Sequence, residues 1–69
     1  MPISGKQAIK TLQRHGFVVS RQQGSHIVLI RIRNNRKRTA VVPNHKELRR
    51  GTLSSIARQS GLNKKELGL

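Results

Sequence analysis

Apolar residues recur with helical spacing near both ends of the chain and crowd together in its middle. Ala8, Ile9 and Leu12 fall on one face of a helix. Just ahead of them, Ser4-Gly5-Lys6-Gln7 has the Ser-x-x-Gln form of a capping box, in which two side chains each satisfy a backbone group at a helix start. This first helix is expected to run to about His15. Gly16 suits the left-handed residue that closes a helix, and Phe17 then folds back onto Leu12. Residues 17–21 form a short β-prone run, Gln22-Gln23-Gly24 a turn, and residues 25–33, with Ile27, Val28, Leu29, Ile30 and Ile32, a second strand. Asn34-Asn35-Arg36-Lys37 is polar and tolerates turn geometry, after which residues 38–43 supply a third strand with Val41 and Val42. Following a loop over residues 44–51, Thr52 is placed to cap a second helix with a Leu53, Ile56 and Ala57 stripe, closed by Gly61. Asn63-Lys64-Lys65-Glu66 resembles another capping box before Leu67, which predicts one final turn. The pattern predicts an α+β fold: helix, three-stranded antiparallel sheet, helix, with both helices on one face of the sheet and the other face open.

Sixty-nine residues make one domain, expected to span 1–69, with a small core. There is no Cys, so neither disulfides nor thiolate zinc sites supplement that core. Charge changes the picture more. Fifteen Lys and Arg against two acids give a net charge of +13, beyond what solubility requires. Nucleic acid is the leading partner, because neutralising phosphates releases condensed counterions and drives association without any reading of sequence. A solvated basic face or attraction to anionic lipid would also use such charge, but no strongly amphipathic basic helix with large apolar residues is present to lie on a membrane. The start, Met1-Pro2-Ile3-Ser4, has no signal-like apolar run, and a cytoplasmic protein without membrane association is expected.

Gly24-Ser25-His26, followed by Val42-Pro43-Asn44-His45, then Glu47-Leu48 and Gly51-Thr52-Leu53, resembles the HicA family of mRNA interferase toxins. Gly16-Phe17, Arg21-Gln22-Gln23, Ile56-Ala57-Arg58-Gln59 and Gly61-Leu62 fit the same pattern, so the resemblance covers nearly the whole chain. It implies a fold like the double-stranded-RNA-binding domain, an antitoxin of the HicB type, and a catalytic role for the His of Gly-Ser-His, here His26. The chain departs from the family in carrying Leu29 where an aromatic residue usually stands, and in its Asn34-Asn35-Arg36-Lys37-Arg38 tip.

Cleaving RNA without a metal requires taking a proton from the ribose 2′-hydroxyl, stabilising charge on the phosphate and protonating the leaving oxygen. Histidine suits the proton transfer because its imidazole changes charge near neutral pH. Arg and Lys supply the positive charge. With two acids and three His in the chain, neither a carboxylate pair nor a nucleotide loop is available, and no metal or cofactor is expected. His26 keeps a plain alternative: it shares strand parity with Val28, Ile30 and Ile32, and is a buried structural histidine if that face is the core. Gly24 allows an RNA backbone to approach, while Ser25 either contacts phosphate or satisfies the turn. His45 follows Pro43 in a loop, as a second proton-transfer group or as a loop cap; His15, at a helix end, is explained by the helix dipole.

Arg31, Arg33, Arg36, Lys37 and Arg38 make a basic hairpin with no acid between them, suited to phosphate binding or to protecting a strand edge. Lys46, with Arg49 and Arg50, forms a second cluster before the second helix, whereas Lys6, Lys10 and Arg14 add diffuse charge. Together these residues predict the toxin of a type II toxin-antitoxin system: a metal-independent ribonuclease that cuts mRNA and so inhibits translation, with His26 catalytic. Two other classes fit the charge: a non-catalytic RNA- or DNA-binding module, and a basic structural protein like a small ribosomal component.

Overall fold

The computed structural model describes residues 3–68. The elements are α1 (Gly5–Arg14), β1 (Val18–Gln23), β2 (His26–Arg33), β3 (Arg36–Pro43) and α2 (Arg50–Ser60), with the strands antiparallel in the order β1-β2-β3. The expected α+β order is present. At α1 the capping box forms in full: Gln7 N–H donates to Ser4 Oγ at 3.1 Å and Ser4 N–H to Gln7 Oε1 at 2.9 Å. A second box closes the chain, with Glu66 N–H on Asn63 Oδ1 at 2.7 Å and Asn63 N–H on Glu66 Oε1 at 3.0 Å, and it seats Leu67 in the core.

The sheet decides which residues reach the core. Ile27 lies opposite Val42 and Leu29 opposite Ala40, and these four pack with Ala8 and Leu12 of α1, Phe17, and Leu53 and Ile56 of α2. Both helices therefore cover one face. Strand alternation sends His26, Val28, Ile30 and Ile32 to the other. That face is open at its ends, where His26 and Ile32 are exposed, and closed in the middle, where Val28 is buried between Arg21 and Val41.

Three boundaries differ from the sequence expectation. The β1–β2 turn is only Gly24-Ser25, because β1 runs on to Gln23; a bulge at Ser20, between Val19 and Arg21, takes up the extra residue. The β2–β3 turn is Asn34-Asn35 alone, with φ of 54° and 61°, the left-handed pair that a two-residue hairpin turn demands, so Arg36 and Lys37 belong to β3. Helix α2 starts at Arg50 with Arg49 as N-cap, and Thr52 lies inside its first turn. Packing sets that start: Leu48 is buried and its N–H donates to Ile3 O at 2.7 Å, which fixes the chain one residue before the N-cap.

The start of α1 is pressed against the end of β3. Gly5 N–H donates to His45 O at 2.8 Å, and a Cβ on Gly5 would meet the Pro43 carbonyl oxygen head-on and sit 3.0 Å from Asn44 Cα. Gly5→Ala is thus expected to cost about 1–3 kcal/mol, the scale of overpacking a tight contact. Gly51, in the first turn of α2, has open space where a Cβ would go. Gly51→Ala should keep or raise stability, by up to about 1 kcal/mol. Thermal melting separates them, since about 4–8 °C corresponds to each kcal/mol in a domain of this size.

Candidate catalytic end and basic interface

His26 opens β2 directly after the Gly24-Ser25 turn, paired with Gln23 on one side and Pro43 on the other. Its side is the one facing away from the helices, and it is exposed, so the buried structural alternative does not hold. Gly24 has φ +58° and nothing within 4 Å of where a Cβ would stand. The turn is braced by Gln22 Nε2 donating to Gly24 O at 3.0 Å and by Asn44 N–H donating to Ser25 O at 2.6 Å. Through the second bond the Gly24-Ser25-His26 turn is tied to the loop after β3, and through Gly5 that loop is tied to α1. The end of the sheet bearing His26 is therefore held from both sides.

His45 and Lys46 belong to this end of the molecule, on the loop after β3. With Ser4, Lys6 and Asn44 they line a concavity of about 320 Å³ beside the start of α1, and His26 is not part of it. Arg21 is the residue that sequence reasoning left without a role. It lies opposite Val28 on the open face, two residue pairs from Gln23–His26 and so diagonal to His26, a spacing that long side chains bridge. The bulge at Ser20 sets this parity. Its one signal in the sequence is the Arg21-Gln22 pair within the family pattern.

The basic hairpin divides between the two faces. Lys37 lies opposite Ile32 on the same face as His26, whereas Arg31 is opposite Arg38 and Arg33 opposite Arg36 on the helix side. These four arginines, with Asn34, line an open concavity of about 450 Å³ at the far end of the sheet from His26. Arg31 is anchored: Nη1 donates to His15 O at 3.0 Å and the guanidinium stacks over Phe17, 4.7 Å from the ring centroid. Burial first, then the charges of Arg33 and Arg38, lowers its pKa from the ordinary arginine value, and Glu66 opposes them. Arg38 packs on Gly61, whose φ is +76°; a Cβ there would fall 2.8 Å from the guanidinium carbon. The structure thus brings together Gly24, Ser25 and His26, separately Arg31, Arg33, Arg36 and Arg38, and leaves Lys46 in the concavity beside α1.

Among the described residues no three His, Asp or Glu gather as a metal site would need, and no helix is long and apolar enough to cross a membrane. The element order, the one-sided helices and the +13 charge define a small basic α+β domain laid out like a double-stranded-RNA-binding domain. The sequence is more specific: the family model described as HicA toxin of bacterial toxin-antitoxin matches residues 5–62, from the start of α1 to just beyond α2. The chain belongs to the HicA toxin family, and so is the toxin side of a toxin-antitoxin system with an antitoxin as partner. No curated protein matches it in sequence.

These placements separate structural from free side chains. His26→Ala, at an exposed strand start, should melt within about 0.5 kcal/mol of wild type. Arg31→Ala loses the bond to His15 and the Phe17 stack, and is expected to cost about 1 kcal/mol. Arg33→Ala removes a repelling neighbour and should leave the melting temperature unchanged or higher; a large loss there would show that the cluster holds the fold together.

Proposed function

We propose that the protein is an endoribonuclease that cleaves mRNA without a metal and so inhibits translation. The observation that carries this is His26: an exposed imidazole at the head of β2, beside a glycine turn with open space, within the family's Gly-Ser-His motif. In this reading His26 takes the proton from a ribose 2′-hydroxyl. The freed oxygen attacks the adjacent phosphorus and the bond to the 5′-oxygen breaks, leaving a 2′,3′-cyclic phosphate and a 5′-hydroxyl. Arg21, two residue pairs away on the same face, offsets the charge that builds on the phosphate. The leaving oxygen draws its proton from solvent, from the protonated His26 or from His45 on the loop after β3. Gly24 and Ser25 admit the backbone, while Lys37 and Lys46 hold phosphates along the strand.

The partner in this reading is a HicB-type antitoxin with an acidic surface complementary to the +13 chain, and the site of action is the cytoplasm, where mRNA is translated. The competing assignment, a silent RNA- or DNA-binding module, draws on the same basic surface but leaves His26 without a task.

His26→Ala is expected to abolish growth arrest and to slow RNA cleavage by about 10²-fold or more, with RNA affinity retained. Arg21→Ala should slow cleavage by about 10²-fold. Incubating purified wild type and variants with RNA, alongside binding assays, checks both; a His26→Ala protein that still cuts, or a wild type that binds and never cuts, assigns the silent module instead. Binding itself should weaken steeply with salt. Four or more phosphate contacts, at about 0.7 each, give a slope of log affinity against log salt near −3 or steeper.

A further inference from the structure

The four hairpin arginines are badly placed for stability alone. Like charges directly opposite on neighbouring strands repel, and here two such pairs, Arg31 with Arg38 and Arg33 with Arg36, stand in succession on one face. Little nearby offsets them. The ends of both helices point at the cluster, α1 through His15 and Gly16, α2 through Gly61, and each carries only about half a negative charge. Among the described residues, Glu66 is the one carboxylate that acts on Arg31. Four positive charges therefore remain largely unmatched around an open concavity of about 450 Å³.

The same contacts anchor one of the four. Arg31 is held by His15 O and Phe17, so its guanidinium is set in place, while Arg38, whose guanidinium lies against Gly61, stays exposed with Arg33 and Arg36. One anchored guanidinium and three exposed ones around a concavity suit a chain of anions rather than a single one, and successive backbone phosphates, each with two non-bridging oxygens, supply such a chain.

We propose that Arg31, Arg33, Arg36 and Arg38 form a phosphate pocket on the helix side of the β2–β3 tip, occupied by backbone phosphates of single-stranded RNA outside the cleavage site. The proposal rests on the RNA-binding reading above and adds a second, separate subsite to it. His26 and Arg33 stand at opposite ends of β2, seven residues apart, or roughly 23 Å at the rise of a strand. They also face opposite sides of the sheet. One nucleotide cannot reach both; at a stacked rise of about 3.4 Å per nucleotide the straight distance alone takes roughly seven, and the path around the sheet takes more. The strand passes around β1, which is exposed along its whole length, because β3 is covered on its outer side, where Gln59 Oε1 of α2 accepts from Val41 N–H at 3.0 Å.

The test is binding of a 2′-O-methyl 20-nucleotide single strand, which lacks the attacking hydroxyl, so its result does not depend on cleavage. Wild type is compared with Arg33→Gln/Arg36→Gln and with Lys10→Gln/Arg58→Gln, which removes the same charge from exposed helix positions. The hairpin pair is expected to weaken binding about tenfold and to make the salt slope shallower by about 1.4, or 0.7 for each lost contact. The helix pair should change the slope by less than half of that. Equal effects from both pairs, or an unchanged slope in the hairpin pair, overturn the pocket while leaving RNA binding standing. Intact RNA binding with lost antitoxin binding overturns it in favour of a protein's carboxylates. A wild type that does not bind the strand overturns both this proposal and the reading beneath it.

Discussion

The register between β2 and β3 governs everything else in this molecule. Placing Ile27 opposite Val42 and Leu29 opposite Ala40 turns four apolar side chains toward the helices, and the two-residue alternation of a strand then fixes every other position. The same register sends His26 away from the core at one end and lines up Arg31 with Arg38 and Arg33 with Arg36 at the other. A slip of one residue would bury His26 and turn the arginines outward. The Asn34-Asn35 turn locks the register, because a two-residue hairpin with both residues left-handed permits no slack.

Around that sheet, the small core is supplemented by backbone bonds that cross between elements. Gly5 to His45, Asn44 to Ser25 and Leu48 to Ile3 join the start of α1, the β1–β2 turn and the loop before α2 at one end. At the other end arginine side chains replace apolar ones as the packing between sheet and helix termini, with Arg31 spanning His15 and Phe17. A chain with so few apolar residues thereby places positive charge where a larger domain would place more core. The excess of that charge over its local partners is what the proposed phosphate pocket at the hairpin rests on.

Much of this was legible from residue pattern. Ser4 with Gln7 and Asn63 with Glu66 are local motifs, each closed within four residues, and both formed as the sequence indicates. The α2 start was not legible, since Thr52 is a fitting cap by type, yet the long-range bond from Leu48 to Ile3 fixes the chain three residues earlier. The facing of the strands was equally hidden. Residues 27–30 are apolar without a break, so alternation could not choose a core face, and the parity of Arg21 depends on the bulge at Ser20. The hairpin arginines were visible as a run of charge, but their division from Lys37 onto opposite faces needed the register.

The central claim is that His26 drives attack by the RNA's own 2′-hydroxyl, and the chemistry of the cut ends tests it most directly. Purified protein is incubated with single-stranded RNA in excess EDTA and the fragments are analysed by mass spectrometry. Cleavage that persists under chelation, with 2′,3′-cyclic phosphate on one fragment and 5′-hydroxyl on the other, is the predicted result. Cleavage that stops with EDTA, or fragments ending in 3′-hydroxyl and 5′-phosphate, would contradict the account.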